Sequence, residues 1–237
     1  MMRSRVRAVA SACAVLAGVV ACGSADEDCA SDDSCPPTWT RVAAAPGTGD
    51  VIDDPARLTA GLLAETDLPG EFTLMPPRPP ADEAAVPPVA PTDPPDCARL
   101  LTPLAQQWPG AAADAAVHFA GPSYATIDID AASYSDSALG TAFTALQERV
   151  HRCGAYTGDD AGVHIDYRAA PLSQPPAGAA SSAFTLTATS EGLTLTSATS
   201  LVQVGNTLVQ VVITAPEAVD PEVLSELTAA QVRKLRG

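Results

Sequence analysis

Cysteine carries most of the chemistry open to this chain, and position sorts its six copies. Val19-Val20-Ala21-Cys22 sets small residues ahead of a thiol. This is the lipobox pattern, in which a peptidase cuts before Cys22 and the thiol takes diacylglycerol. Upstream, Arg3, Arg5 and Arg7 form a basic n-region, and Ala8 to Val20 form an apolar h-region too short for a permanent span. An ordinary cleaved signal peptide would instead leave Cys22 a plain thiol. Cys13 falls inside the leader. Cys29, Cys35, Cys97 and Cys153 then reside in an oxidising compartment, where thiols pair. Of three connectivities, Cys29–Cys35 with Cys97–Cys153 is favoured. No Cys-x-x-Cys pair or His pair at ligand spacing accompanies them, so neither metal nor cofactor is expected.

Other reactive residues are weaker candidates. Gly121-Pro122-Ser123-Tyr124-Ala125 brushes the nucleophile-elbow pattern, which needs a strand before the serine and a helix after it. Here Ser123 precedes a strand, so a turn is the expected reading and a serine hydrolase the remote one. His118, His151 and His164 are the three histidines; His151 and His164 are expected to face solvent without a triad. Asp128 and Asp130 share a strand face and could act as an acid pair or ligate a metal, though alternation on an exposed face explains them too. Trp39, Trp108, Tyr124, Tyr134, Tyr156 and Tyr167 could line a cleft, with Trp108 and Tyr167 better suited to the core. The acids from Asp26 to Asp33 lack the Gly and final Glu of a calcium loop, and the glycines at 154, 158 and 162 do not form a phosphate-cradling turn.

Charge narrows the partners. Cleavage before Cys22 removes three arginines and no acids, leaving ten basic against twenty-eight acidic residues, a formal −18. Such a surface repels nucleic acid and anionic lipid alike, so acyl chains must supply membrane attachment. The expected partners are the membrane through that anchor, a small-molecule, lipid or glycan ligand, and an envelope protein.

The elements that must position these residues follow from periodicity. Residues 1–21 read as the leader and 22–50 as an acidic flexible tether, with one domain over 51–237. Asp54-Pro55 opens a helix with Leu58, Leu62 and Leu63 on one side. Glu71 to Met75 suits a short strand. Residues 76–95 hold nine prolines and read as an extended loop, within one domain or between two units. Cys97, Leu101, Leu104 and Trp108 recur at helical spacing around Pro103, with Thr102 as the expected cap. Ser137 to Cys153 is a clear amphipathic helix through Leu139, Phe143, Leu146 and Val150. Both cysteines thus sit on core-facing stripes, which favours their pairing. Period-two alternation marks strands at 124–131, 163–169 and 184–189. Glu191-Gly192 turns into 193–204, where a slip in the apolar phase near 197–200 suggests a bulge. Gly205-Asn206 is a hairpin turn into 207–213, apolar on both faces as a central strand would be. Asp220-Pro221 caps a last helix carrying Val223, Leu224, Leu227 and Gln231. The sum is an α+β domain, with about six strands in a mainly antiparallel sheet flanked by helices.

Leu68-Pro69-Gly70, Asp96-Cys97-Ala98, Arg152-Cys153 and Gly205-Asn206-Thr207-Leu208-Val209, in that order, resemble the PknH-type sensor domain of actinobacterial receptor kinases, which also occurs alone in lipoproteins. The resemblance covers residues 51 to 237. It implies a strongly twisted sheet, a helix-linking disulfide at Cys97 and Cys153, and a cleft for an unidentified ligand. Family members often carry a second disulfide within the domain, whereas no cysteine follows Cys153; no kinase domain is present either. The resulting expectation is a lipid-anchored, non-enzymatic, sensor-like domain on the outer face of the cell membrane. An envelope carrier for lipid or glycan is the alternative.

Overall fold

The computed structural model describes residues 38–76 and 90–237. Cys22, Cys29, Cys35 and most of the proline-rich segment lie outside the described residues. The compact unit runs from Pro37 to Gly237.

Among the described residues, nine strands form one antiparallel sheet: β1 (Thr73–Leu74), β2 (Thr92–Asp93), β3 (Ala113–Ala120), β4 (Thr126–Ser133), β5 (Ala155–Asp160), β6 (Val163–Pro171), β7 (Ala180–Ser190), β8 (Leu193–Val204) and β9 (Thr207–Ala215). Their order across the sheet is β1-β3-β4-β9-β8-β7-β6-β5-β2. Four α-helices accompany them: α1 (Pro55–Ala60), α2 (Leu104–Gln107), α3 (Asp136–Arg152) and α4 (Pro221–Arg236). A 3₁₀ turn at Pro95–Leu101 carries Cys97. The α+β class and the antiparallel sheet agree with the sequence; the strand number is nine rather than about six. The three additions have physical causes. β3 is ADAAVHFA, whose alanines give little apolar contrast, and β5 is AYTGDD, with few apolar residues. β2 has only two residues.

Tight turns join the strands where the backbone must adopt positive φ. Glu191-Gly192 and Ala161-Gly162 are positive at both central residues, as a type I′ hairpin requires. Gly205 is positive at φ 58° while Asn206 is not, the type II′ pattern. No bulge interrupts β8, whose register is continuous with β7 from Leu193 to Gln203 and with β9 from Thr196 to Val204. The apolar phase slips there because both faces are covered, so inward and outward residues are alike buried.

Register assigns the faces. Ile127, Ile129 and Ala131 of β4 oppose Ile213, Val211 and Val209 of β9, and all pack in one cluster with Leu58 and Leu62 and with Leu224 and Leu227 of α4. The opposite face holds Ala132 and Leu208 under α3, packed with Leu139, Phe143 and Leu146. β9 is therefore buried on both sides, in keeping with its doubly apolar sequence. Asp54 accepts a hydrogen bond from Ala56 N–H to start α1, and Asp220 does the same for Glu222 in α4. Thr102 does not cap α2; its hydroxyl donates to the Arg99 carbonyl and Pro103 occupies the cap position. No helix of the described residues is long and apolar enough to cross a membrane.

β1 precedes the proline-rich segment 76–95, β2 lies within it near its end, and both belong to the same sheet.

Candidate binding site

The site begins with a strap. Residues 38–53, which composition assigns to the tether as far as 50, have no regular structure but are fastened to the domain by side-chain amides. Val42 N–H donates to Gln147 Oε1 at 2.9 Å, and Gln147 Nε2 donates back to the Val42 carbonyl at 3.0 Å. Gln203 clasps Ala45 in the same reciprocal way. Asn206 Nδ2 donates to the Gly49 carbonyl, and Ile52 N–H donates to Ser133 Oγ. A carboxamide offers a donor and an acceptor as a peptide does, so each glutamine stands in for an adjacent strand. Gln231 repeats the device further on, accepting from Leu63 N–H and donating to the Gly61 carbonyl. These amides were legible in principle: Gln147 lies one turn beyond Phe143 on α3, and Gln231 one turn beyond Leu227 on α4. A buried amide must find partners.

Two adjoining cavities flank the strap at Trp39. One, of about 130 Å³, is lined by Trp39, Gln147, Val150, His151, Phe184 and Leu201 among others. The second, of about 250 Å³, is more polar and adds Ser173, Gln174, Ser181 and Ser200. Trp39 meets His151 edge-on, with ring centroids 5.9 Å apart. The cavities therefore sit between the strap, α3 and strands β7 and β8.

Below them, Cys97 and Cys153 are bonded, with Cα atoms 5.7 Å apart. The disulfide is buried beside Tyr156, Tyr167 and Phe184, so it ties the 3₁₀ turn to the end of α3. Tyr156 and Tyr167 stack at 4.6 Å, and burial raises the pKa of both phenols. Tyr134 is fully buried and donates to the Trp108 carbonyl; burial pushes its phenol up to about 12. Of the six tryptophans and tyrosines, Trp39 lines the two cavities, Tyr134, Tyr156 and Tyr167 pack in the core, and Tyr124 is 88% exposed. Trp108 is half-buried at a separate groove.

The remaining candidates are dispersed. Ser123 sits on the connection between β3 and β4 with φ 53°, between two strands rather than before a helix. His118 Nδ1 lies 2.7 Å from Asp128 Oδ1, and Thr126 donates to the other oxygen of Asp128. His151 and His164 are both exposed, as expected; His164 lies 3.6 Å from Asp166, and His151 meets Trp39 as above. Asp128 and Asp130 do share a face, but that face is not uniformly exposed. Asp130 is only 7% exposed, and its Oδ1 has no hydrogen-bond partner among the described residues. Burial raises its pKa to about 6, against a smaller lowering by His118. No group of three metal-ligating side chains occurs among the described residues.

The fold, an α+β domain with one nine-stranded antiparallel sheet, is that of a known class. The extracellular domain of PknH from Mycobacterium tuberculosis is similar over 79% of this chain and 98% of its own, with a TM-score of 0.53 and 16% identity. A putative uncharacterized protein, the Rv0999 ortholog from Mycobacterium smegmatis, matches over the same shares at a TM-score of 0.41 and 16% identity. No protein-family model matches the chain. No curated protein matches it either. The PknH-type sensor-domain fold implied by the sequence is thus the fold observed.

Proposed function

We propose that this chain is a lipid-anchored, non-enzymatic binding domain that senses a small ligand outside the cell membrane. Cys22 is the acylated residue, 22–37 the tether, and a Cys29–Cys35 disulfide closes a small loop within it. The observation that carries the binding role is the pair of cavities meeting at Trp39, in a fold similar to the extracellular domain of PknH. Their linings differ. An apolar wall of Val150, Phe184 and Leu201 adjoins a serine-rich one, which suits a ligand with one greasy and one hydroxylated end. Compact cavities favour a sensor; a carrier of lipid or glycan calls for one continuous apolar groove.

Native mass spectrometry of the protein purified from its own envelope is the test. A co-purifying small molecule lost in Trp39→Ala supports the reading, whereas a co-purifying long-chain lipid retained by that variant overturns it. For the anchor, Cys22→Ser should move the protein out of the membrane fraction and remove a diacylglycerol mass from the mature N-terminus. An unmodified Cys22 in the parent protein would end the anchored model.

A further inference from the structure

We infer that the outer side of α3 holds a second site, for a doubly charged oxyanion borne on an organic group, as in a phosphate ester. Its groove shares no lining residue with the Trp39 cavities, although Arg41 at the edge of the cluster also lines the first of them.

The chain is strongly acidic, with thirteen basic residues against twenty-eight acids. Yet four arginines gather here. Arg99, Arg149 and Arg152 all approach a single carboxylate, Asp96, at 3.4, 3.5 and 3.4 Å. Arg41 takes Glu148 at 3.1 Å, which leaves Glu148 4.0 Å from Arg152. Charge-assisted hydrogen bonds close to roughly 2.7–2.9 Å when a carboxylate is free to serve one guanidinium. Asp96 is shared three ways, and every one of its contacts is longer than that. Four guanidiniums against two carboxylates leave the cluster an excess of two positive charges, and Arg149 and Arg152 are the two arginines that line the groove itself.

Arg149 adds an independent sign. Its side chain is only 7% exposed, and its Nη1 is buried without a hydrogen-bond partner among the described residues. An unpaired buried charged donor is costly, and native interiors rarely retain one. The same side chain lines a groove of about 530 Å³ with Trp108, Thr141, Thr144, Glu148 and Arg152. Guanidiniums present planar forks that match oxyanions, threonine hydroxyls can donate alongside them, and Trp108 offers a flat wall. The groove exceeds a bare phosphate, so the organic part of an ester would rest against the indole.

The full-length protein titrated by calorimetry with inorganic phosphate, phenyl phosphate and benzoate tests this. Phenyl phosphate should bind at one site per chain, and benzoate about tenfold more weakly for want of the second charge. Arg152→Gln, at an exposed position where folding is not at stake, should weaken phenyl phosphate by about tenfold. Arg149→Gln should do at least as much, with its thermal unfolding checked. Arg233→Gln on α4 should change nothing. Inorganic phosphate should bind more weakly than the ester yet respond to the same variants. Binding of phenyl phosphate unchanged in Arg152→Gln, or matched by benzoate, overturns the proposal.

Discussion

Gln203 and Ala45 are joined by two hydrogen bonds, Ala45 N–H to Oε1 at 3.0 Å and Nε2 to the Ala45 carbonyl at 2.8 Å. They lie far apart in sequence, and Gln203 is fully buried in β8. One side chain thus satisfies both backbone groups of a residue that belongs to no strand.

Gln203→Leu keeps the volume and removes the clasp, leaving the Ala45 N–H and carbonyl without protein partners. A loss of about 2 kcal/mol is expected, which for a domain of this size lowers Tm by roughly 4–8 °C. Gln203→Glu should cost more, because it buries a charge and removes the donor. Hydrogen exchange at the Ala45 amide gives the local readout. Unchanged protection there in Gln203→Leu would show that the clasp does not hold the strap.

Gly47 is tested separately. A Cβ at this position would fall 1.9 Å from Asn206 Oδ1 and 2.7 Å from Asp136 Oδ1, closer than side chains tolerate. Gly47→Ala should therefore push the strap away from the β8–β9 turn. Limited proteolysis should then cut near residue 47 while the sheet stays intact. A variant as resistant as the parent contradicts the close approach.

Asp130 gives a pH dependence with a definite sign. Its folded pKa is raised from 3.8 to about 6, so the native state takes up a proton before the unfolded chain does. The ionised form weakens the fold above pH 6, and this penalty fades as pH falls toward 4. Asp130→Asn should be more stable than the parent by up to about 3 kcal/mol at pH 7. That advantage should shrink toward zero near pH 4. Paired melting curves from pH 4 to 7.5 decide it, and a constant gap would count against burial as the cause. Asp67 acts in the opposite sense. A backbone hydrogen bond from Ala64 and the contact with Lys234 lower its pKa, so its contribution is lost in acid in both proteins and cancels.

The disulfide closes a loop of 56 residues in sequence separation. Chain entropy assigns such a closure roughly 4 kcal/mol. Replacing Cys97 and Cys153 together by alanine should lower the midpoint of chemical denaturation accordingly. Peptide mapping without reductant should recover the two cysteines as one linked species. A free thiol at Cys97 would refute the pairing.

Elements with strong periodicity were readable in the sequence: α3 through Leu139, Phe143, Leu146 and Val150, α4 after Asp220-Pro221, and the Gly205-Asn206 hairpin. Cys97 and Cys153 were readable for the same reason, since both ride apolar stripes. β3 was not, because alanine on both faces hides which side is buried. The strap escaped because nothing local orders it; its partners, Gln147 and Gln203, lie more than a hundred residues away. The arginine cluster escaped likewise, since Asp96 and Arg149 meet only through the tertiary fold.

Each rim of the sheet ends in a stub. Leu74 and Thr73 cover Phe119 and Ala120 at one side, and Thr92 and Asp93 cover Gly158 and Thr157 at the other. Long bare strands invite a neighbouring molecule to add on and polymerise, and each stub pairs with only two residues of its rim strand, so most of the outer edge of β3 carries no strand among the described residues. Asp159 and Asp160 place like charges next to the second stub, so copies approaching rim to rim would repel.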